Sequence, residues 1–164
     1  MINNINNTKT SVVPEEVTEV SAEELMDKVI ISGSTMEIRG IAESIAYCGL
    51  VCSLCHVADR CSGCHTENNC CGNRTSSEGC YQYNCCKEKG IEGCWQCDEA
   101  PCGEGMFGES HDLRLRAFIR YIKEHGKEQL AERIYHNMQK GIYYGYGKAY
   151  DNLPSEEAVF KLLT

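Results

Sequence analysis

The stretch CGLVCSLCHVADRCSGCHTENNCC, Cys48–Cys71, puts seven cysteines into twenty-four residues, and what they hold decides the fold. Three chemistries compete: disulfides, an iron–sulfur cluster, and zinc acting as a staple. Beyond this stretch the cysteines continue as Cys80, Cys85 and Cys86, then Cys94, Cys97 and Cys102. Three C-x2-C pairs stand out: Cys52/Cys55, Cys61/Cys64 and Cys94/Cys97. Two intervening residues let a tight turn aim both sulfurs at one ion, and two such turns complete a tetrahedron with Zn–S of about 2.3 Å. Gly63, inside one pair, relieves the backbone where the chain turns sharply.

The whole chain has 164 residues, 13 cysteines, 3 phenylalanines and 1 tryptophan. An aromatic core is therefore thin in the Cys-rich part, and a small Gly-rich segment needs cross-links or metal to offset chain entropy. The opening MINNINNTKTSVVPEE lacks the apolar run of roughly 7–15 residues of a secretory signal. No stretch approaches the ~18 continuous apolar residues of a membrane helix. These readings predict a cytoplasmic protein with no membrane attachment. In that reducing milieu dense cysteines bind metal more often than they pair. An odd number of them also rules out complete pairing within one chain.

Iron–sulfur chemistry is the main rival. Cys48-x3-Cys52-x2-Cys55 has the spacing of the radical-SAM cluster motif, but that chemistry needs a large barrel after it, ~200 residues or more. Here the following segment is short and filled with further cysteine turns. A ferredoxin pattern has a Pro after its last cysteine, whereas Pro101 precedes Cys102. An iron–sulfur protein for electron transfer or for redox or metal sensing remains the alternative to zinc.

The formal charge is −8; residues 1–45 carry 8 acids against 3 bases, and Cys48–Cys102 carries 7 against 4. Each zinc held by four thiolates adds about −2. This balance argues against nucleic acid as a partner, which needs a basic face, and leaves a protein partner of unspecified identity. His56 and His65 each directly follow a cysteine. The plain reading makes them exposed loop residues; the sharper one makes each a fourth ligand in place of a cysteine. Cys70, Cys71 and Cys86 fall beside the regular spacing. They read as incidental or weakly metal-associated thiols, or as a reactive nucleophile if one is activated. With no convergent acid/base set in the sequence, a zinc or thiol enzyme stands last.

The expected organisation is a disordered tail over 1–20, a short helical lead-in over 21–46, a Cys-rich metal-binding module over 47–104 and a helical C-terminal part over 105–164 packed on it. In the lead-in, Ser21 with Glu24 reads as a capping box. SGST at 32–35 reads as a break, and Ile38, Ile41, Ala42 and Ile45 make a helical stripe that competes with an extended segment. The module is predicted to be irregular, mostly loops and short elements with few strands. Leu115, Phe118, Ile119 and Ile122 form one apolar stripe and Leu130, Ala131, Ile134, Tyr135 and Met138 the next, with Gly126 and Gly141 as stops. That predicts a helical hairpin. Pro154-Ser155 then opens a short last helix with Val159, Phe160, Leu162 and Leu163. Arg114, Arg116, Arg120 and Arg133 read as a solvated face, or as cations set against the module. The tyrosines at 143, 144, 146 and 150 read as packing over the helices, or as a contact surface.

The segments YCGLVCSLC, CSGC, CYQYNCCKEKGIEGCWQC and APCG resemble an uncharacterised bacterial and archaeal cysteine-rich family described as a zinc-binding domain of unknown function. Its pattern falls on Cys48, Cys52, Cys55, Cys61, Cys64, Cys80, Cys85, Cys94, Cys97 and Cys102, and LRLRAFIRYIKEHG is similar to the helical segment that follows in its members. Cys70, Cys71 and Cys86 depart from that pattern. The resemblance covers roughly residues 46–135 and implies a metal-stapled module with those ten cysteines as ligands. Ten ligands fill two four-cysteine sites with two left over, and a spare cysteine and a histidine would make a third, so two or three zinc ions are expected.

Overall fold

The computed structural model describes residues 21–67, 69, 77–108 and 113–164. The expected disordered tail and the spare thiols Cys70 and Cys71 lie outside them. Five α-helices are described: α1 Ala22–Glu43, α2 Tyr81–Lys89, α3 Leu113–His125, α4 Lys127–Gln139 and α5 Glu156–Leu163. Short 3-10 turns at Cys52–Leu54, Cys94–Gln96, Gly105–Phe107 and Ala149–Asn152 join them. Among the described residues the only β pairing is an isolated antiparallel bridge between Ile45 and Val51. No helix among them is long and apolar enough to cross a membrane.

Helix α3 organises the molecule because it is buried on two sides. Ala117, Phe118, Tyr121 and Ile122 join the core shared with α4, α5 and the end of α1. Leu115 and Ile119 join a second core with Tyr47, Cys48, Cys64, Cys86, Cys94 and Phe107. The Cys-rich segment thus lies against one flank of the helix and the helical C-terminal part against the other. Trp95 touches both cores. Each large side chain fully buried in this way contributes roughly 1.5–3 kcal/mol of apolar transfer.

The hairpin forms as the stripes predict. Gly126 alone separates α3 from α4, with φ of 88° and its N–H bonded to Ile122 O at 2.8 Å. Leu130, Ala131 and Ile134 are fully buried, while Tyr135 and Met138 pack at the core edge. Buried Asn137 donates to Tyr150 Oη at 2.9 Å and Leu162 O at 2.7 Å, locking α4 to the last helix and its lead-in. Ser155 caps α5 by accepting from Ala158 N at 3.1 Å, the role that Ser plays at helix starts.

Two local expectations are corrected. SGST at 32–35 does not break the lead-in, since α1 runs continuously through it. A glycine inside a helix costs only about 1 kcal/mol, and the packing of Ile38, Ile41 and Ala42 into the core outweighs that. Tyr135 Oη also bonds Ser34 Oγ at 3.1 Å. Ile45, the last member of the expected stripe, lies past the helix end in the bridge to Val51. There Ala46 N bonds Leu50 O and Cys52 N bonds Ser44 O, turning the chain at Gly49 with φ of 91°.

The arginine face is corrected for three of its four members. Arg114 is buried and paired with Asp151. Arg116 donates to Phe107 O. Arg120 reaches Glu156 and Glu157 at 3.2 and 2.9 Å and lies over the Phe160 ring. Arg133 is solvated as expected. The tyrosines divide: Tyr144 and Tyr150 pack into the core, while Tyr143 and Tyr146 are 56% and 77% exposed.

Candidate metal centre

The cysteine turns are built by short-range geometry. Cys55 N bonds Cys52 O at 3.1 Å and Cys97 N bonds Cys94 O at 3.0 Å, so two of the C-x2-C pairs close as the same 3-10 turn. In the third pair Gly63 adopts φ of 95°, and a Cβ there would stand 3.2 Å from Cys52 Cβ and 3.5 Å from its Sγ. The Cys61/Cys64 turn is therefore seated directly on the Cys52/Cys55 turn, and only glycine allows the approach. Gly63→Ala is expected to destabilise the protein by about 1–3 kcal/mol, read as a drop in the denaturant midpoint. An unchanged midpoint contradicts this seating.

The second pair of elements is α2 and the Cys94–Gln96 turn. Cys94 N bonds Tyr47 O at 2.8 Å, which brings the turn beside Cys48. Helix α2 ends on Gly90 in the left-handed conformation, φ 63°, the common helix stop. Buried Gln82 fixes its other end, donating to Glu104 O at 2.7 Å and accepting from Met106 N at 3.0 Å. Between these parts lies a cavity of about 40 Å³ lined by Cys85, Cys86, Cys94, Cys97 and Cys102. Cys86 Sγ and Cys94 Sγ are 3.6 Å apart. Burial pushes both thiols upward in pKa, with neighbouring cysteines adding to the rise at Cys94.

Cations frame this site. Lys89 Nζ lies 3.3 Å from Cys97 Sγ and 2.8 Å from Glu99 Oε2. Lys123 of α3 donates to Cys97 O at 2.8 Å and Ala100 O at 2.7 Å. Lys127 of α4 pairs with Glu92. The helical part thus holds the turn through charge as well as through Leu115 and Ile119.

The ten pattern cysteines and Cys86 are all described, and none of these eleven is in a disulfide. Cys52 lies against Gly63, between Cys61 and Cys64 in the chain; Cys85, Cys94, Cys97 and Cys102 line the cavity with Cys86. Cys80 is buried at the start of α2, 4.0 Å from Gln82 Oε1 and outside the cavity wall. His56 is exposed, its Nδ1 3.9 Å from Cys55 Sγ. His65 bonds Ile45 O through Nε2 at 3.0 Å and packs tilted against Tyr47, with ring centroids 4.3 Å apart. Sequence spacing undervalued Cys86, which is 1% exposed and reaches Cys94 from the helix.

Among the described residues no group of three or more Cys, His, Asp or Glu side chains is placed so that it could hold a metal ion. The donor chemistry nevertheless fits a thiophilic ion. Four sulfurs at 2.3 Å from a tetrahedral centre lie about 3.8 Å from one another, close to the Cys86–Cys94 separation. The five thiols line one small cavity, and Lys89 stands against one of them. Comparison with family models, with curated proteins and with solved structures finds no match to this chain.

Proposed function

We propose that the chain is a cytoplasmic zinc-binding protein with two or three closed, mainly structural cysteine-ligated sites, acting as a binding or adaptor module for a protein partner. The observation that carries the reading is the Cys86–Cys94 separation of 3.6 Å beside a cavity with three further thiols in its wall. A disulfide would need about 2.05 Å, and a pair on one tetrahedral ion needs about 3.8 Å. The cavity of about 40 Å³ has room for an ion or a few water-sized bodies. All-sulfur sites with four ligands leave no open position for substrate, so their role is to hold the chain. Partner binding is supported by the exposed Tyr143 and Tyr146, the latter with its ring 5.4 Å from His56 beside the first turn. The acidic balance of −8 favours protein over nucleic acid.

The test is metal identity and stoichiometry in protein purified without oxygen or added metal. Colourless protein with two or three zinc ions per chain is the expected result. Brown protein with iron, inorganic sulfide and a broad visible band overturns it.

A further inference from the structure

Cys85 and Cys86 are neighbours on α2, so their side chains leave the helix about 100° apart. They therefore cannot present themselves equally to one ion. The two thiols are in different surroundings. Cys86 is buried within the inner core, with its Sγ 3.6 Å from Cys94 Sγ. Cys85 is half-buried and, besides lining the cavity, also lines an open groove with Glu78, Asn84 and Glu88. Lys89, four residues after Cys85 and three after Cys86, neighbours both on the helix surface and places its ammonium against Cys97 Sγ. What separates the two thiols is therefore not Lys89 but the burial of Cys86 and its contact with Cys94.

We infer that Cys86, rather than Cys85, closes a four-thiolate site with Cys94, Cys97 and Cys102, leaving Cys85 as an accessible thiol on its rim. The inference rests on the zinc reading proposed above. It assigns as ligand a cysteine that the family pattern omits and removes one that it includes. The Cys94/Cys97 turn supplies two sulfurs, α2 the third, and the segment after Pro101 the fourth. The N–H···S contact from Lys89 offsets part of the roughly −2 charge of such a site.

Two measurements test this on the full-length chain. Native mass spectrometry counts zinc on the wild type, Cys85→Ser and Cys86→Ser. Cys86→Ser is expected to lose one full zinc equivalent while Cys85→Ser retains the wild-type count. Full zinc on Cys86→Ser, or loss of zinc on Cys85→Ser, overturns the assignment. A wild-type chain without zinc instead overturns the reading beneath it. Should Cys86→Ser not fold, iodoacetamide mapping of zinc-loaded wild type decides, with Cys85 expected to label and Cys86 to be protected. Labelling of Cys86 with retained zinc, or protection of Cys85, again overturns the assignment.

Discussion

Stripping metal from the protein with a strong chelator is expected to unfold residues 47–104 while leaving a helical remnant. Among the described residues of that segment the regular structure is α2 and two 3-10 turns, bounded by a lone bridge. Its core is built mainly from Tyr47, the cysteines, Ala100 and Phe107 against Leu115 and Ile119. Structural zinc contributes roughly 10–16 kcal/mol in small thiolate modules, as large as the whole stability of a typical domain, about 5–15 kcal/mol. Without the ion, buried cysteines are small apolar groups that do not by themselves order loops of this length. The other core, with Phe118, Ile122, Leu130, Ile134, Val159 and Leu163, contains no cysteine and should keep α3, α4 and α5 associated. Loss of the module uncovers Leu115, Ile119 and Phe107, so the remnant should be less stable and bind hydrophobic dyes. Limited proteolysis should show new cleavage within 47–104 and protection of 113–163, with a partial fall in helical circular dichroism. An unchanged digestion pattern after confirmed metal loss contradicts the expectation.

The helical half was legible because its signals are local and redundant. Apolar stripes at helical spacing, Gly126 and Gly141 as stops, and Ser155 as a cap all point to the same elements. The C-x2-C turns were legible for a similar reason, since two intervening residues restrict the backbone to a tight turn, as at Cys52–Cys55 and Cys94–Cys97. Cys86 was not legible. The helix YQYNCCKEK has no apolar period, so nothing in its composition reveals which of two adjacent cysteines faces inward. That is set by the contact of α2 with the Gly105–Phe107 turn, where a Cβ on Gly105 would lie 2.6 Å from Gln82 Oε1. The continuity of α1 through Gly33 was hidden for a related reason, because tertiary packing overrides weak propensity. Arg114 was misread because an arginine on an amphipathic helix is ordinarily solvated, and its partner Asp151 lies on a distant 3-10 turn.

Arg114 carries the second large expectation: Arg114→Met should destabilise the folded protein by about 3–5 kcal/mol, the range for breaking a buried ion pair from one side. Arg114 Nη1 lies 2.7 Å from Asp151 Oδ1, with the two side chains only 9% and 17% exposed. The pair meets by proximity of charge rather than in hydrogen-bond alignment at Oδ1, so it depends on both charges being present. Asp151 Oδ2 accepts from Gly147 N at 2.7 Å, which fixes the Tyr/Gly loop. The Arg114 guanidinium also stands 5.2 Å from the centroid of the Tyr144 ring. Tyr144 Oη accepts from buried Val51 N at 3.0 Å, directly before Cys52. One cation at the start of α3 thus ties the C-terminal loop to the root of the first cysteine turn. Removing it leaves the Asp151 carboxylate buried without its counter-charge. Removing both charges with apolar groups of similar size does not, since buried pairs are often replaceable together at little net cost. The double variant Arg114→Met/Asp151→Leu should therefore recover much of the stability lost by Arg114→Met, and a double-mutant cycle on denaturant midpoints measures the coupling. A single-variant loss below about 1 kcal/mol, the range of an exposed pair, contradicts the account; so does a double variant less stable than either single one. Because Tyr144 also braces Val51, Arg114→Met should raise protease cleavage near Cys52 even with metal bound, an effect that a purely local loss at the Asp151 turn would not produce.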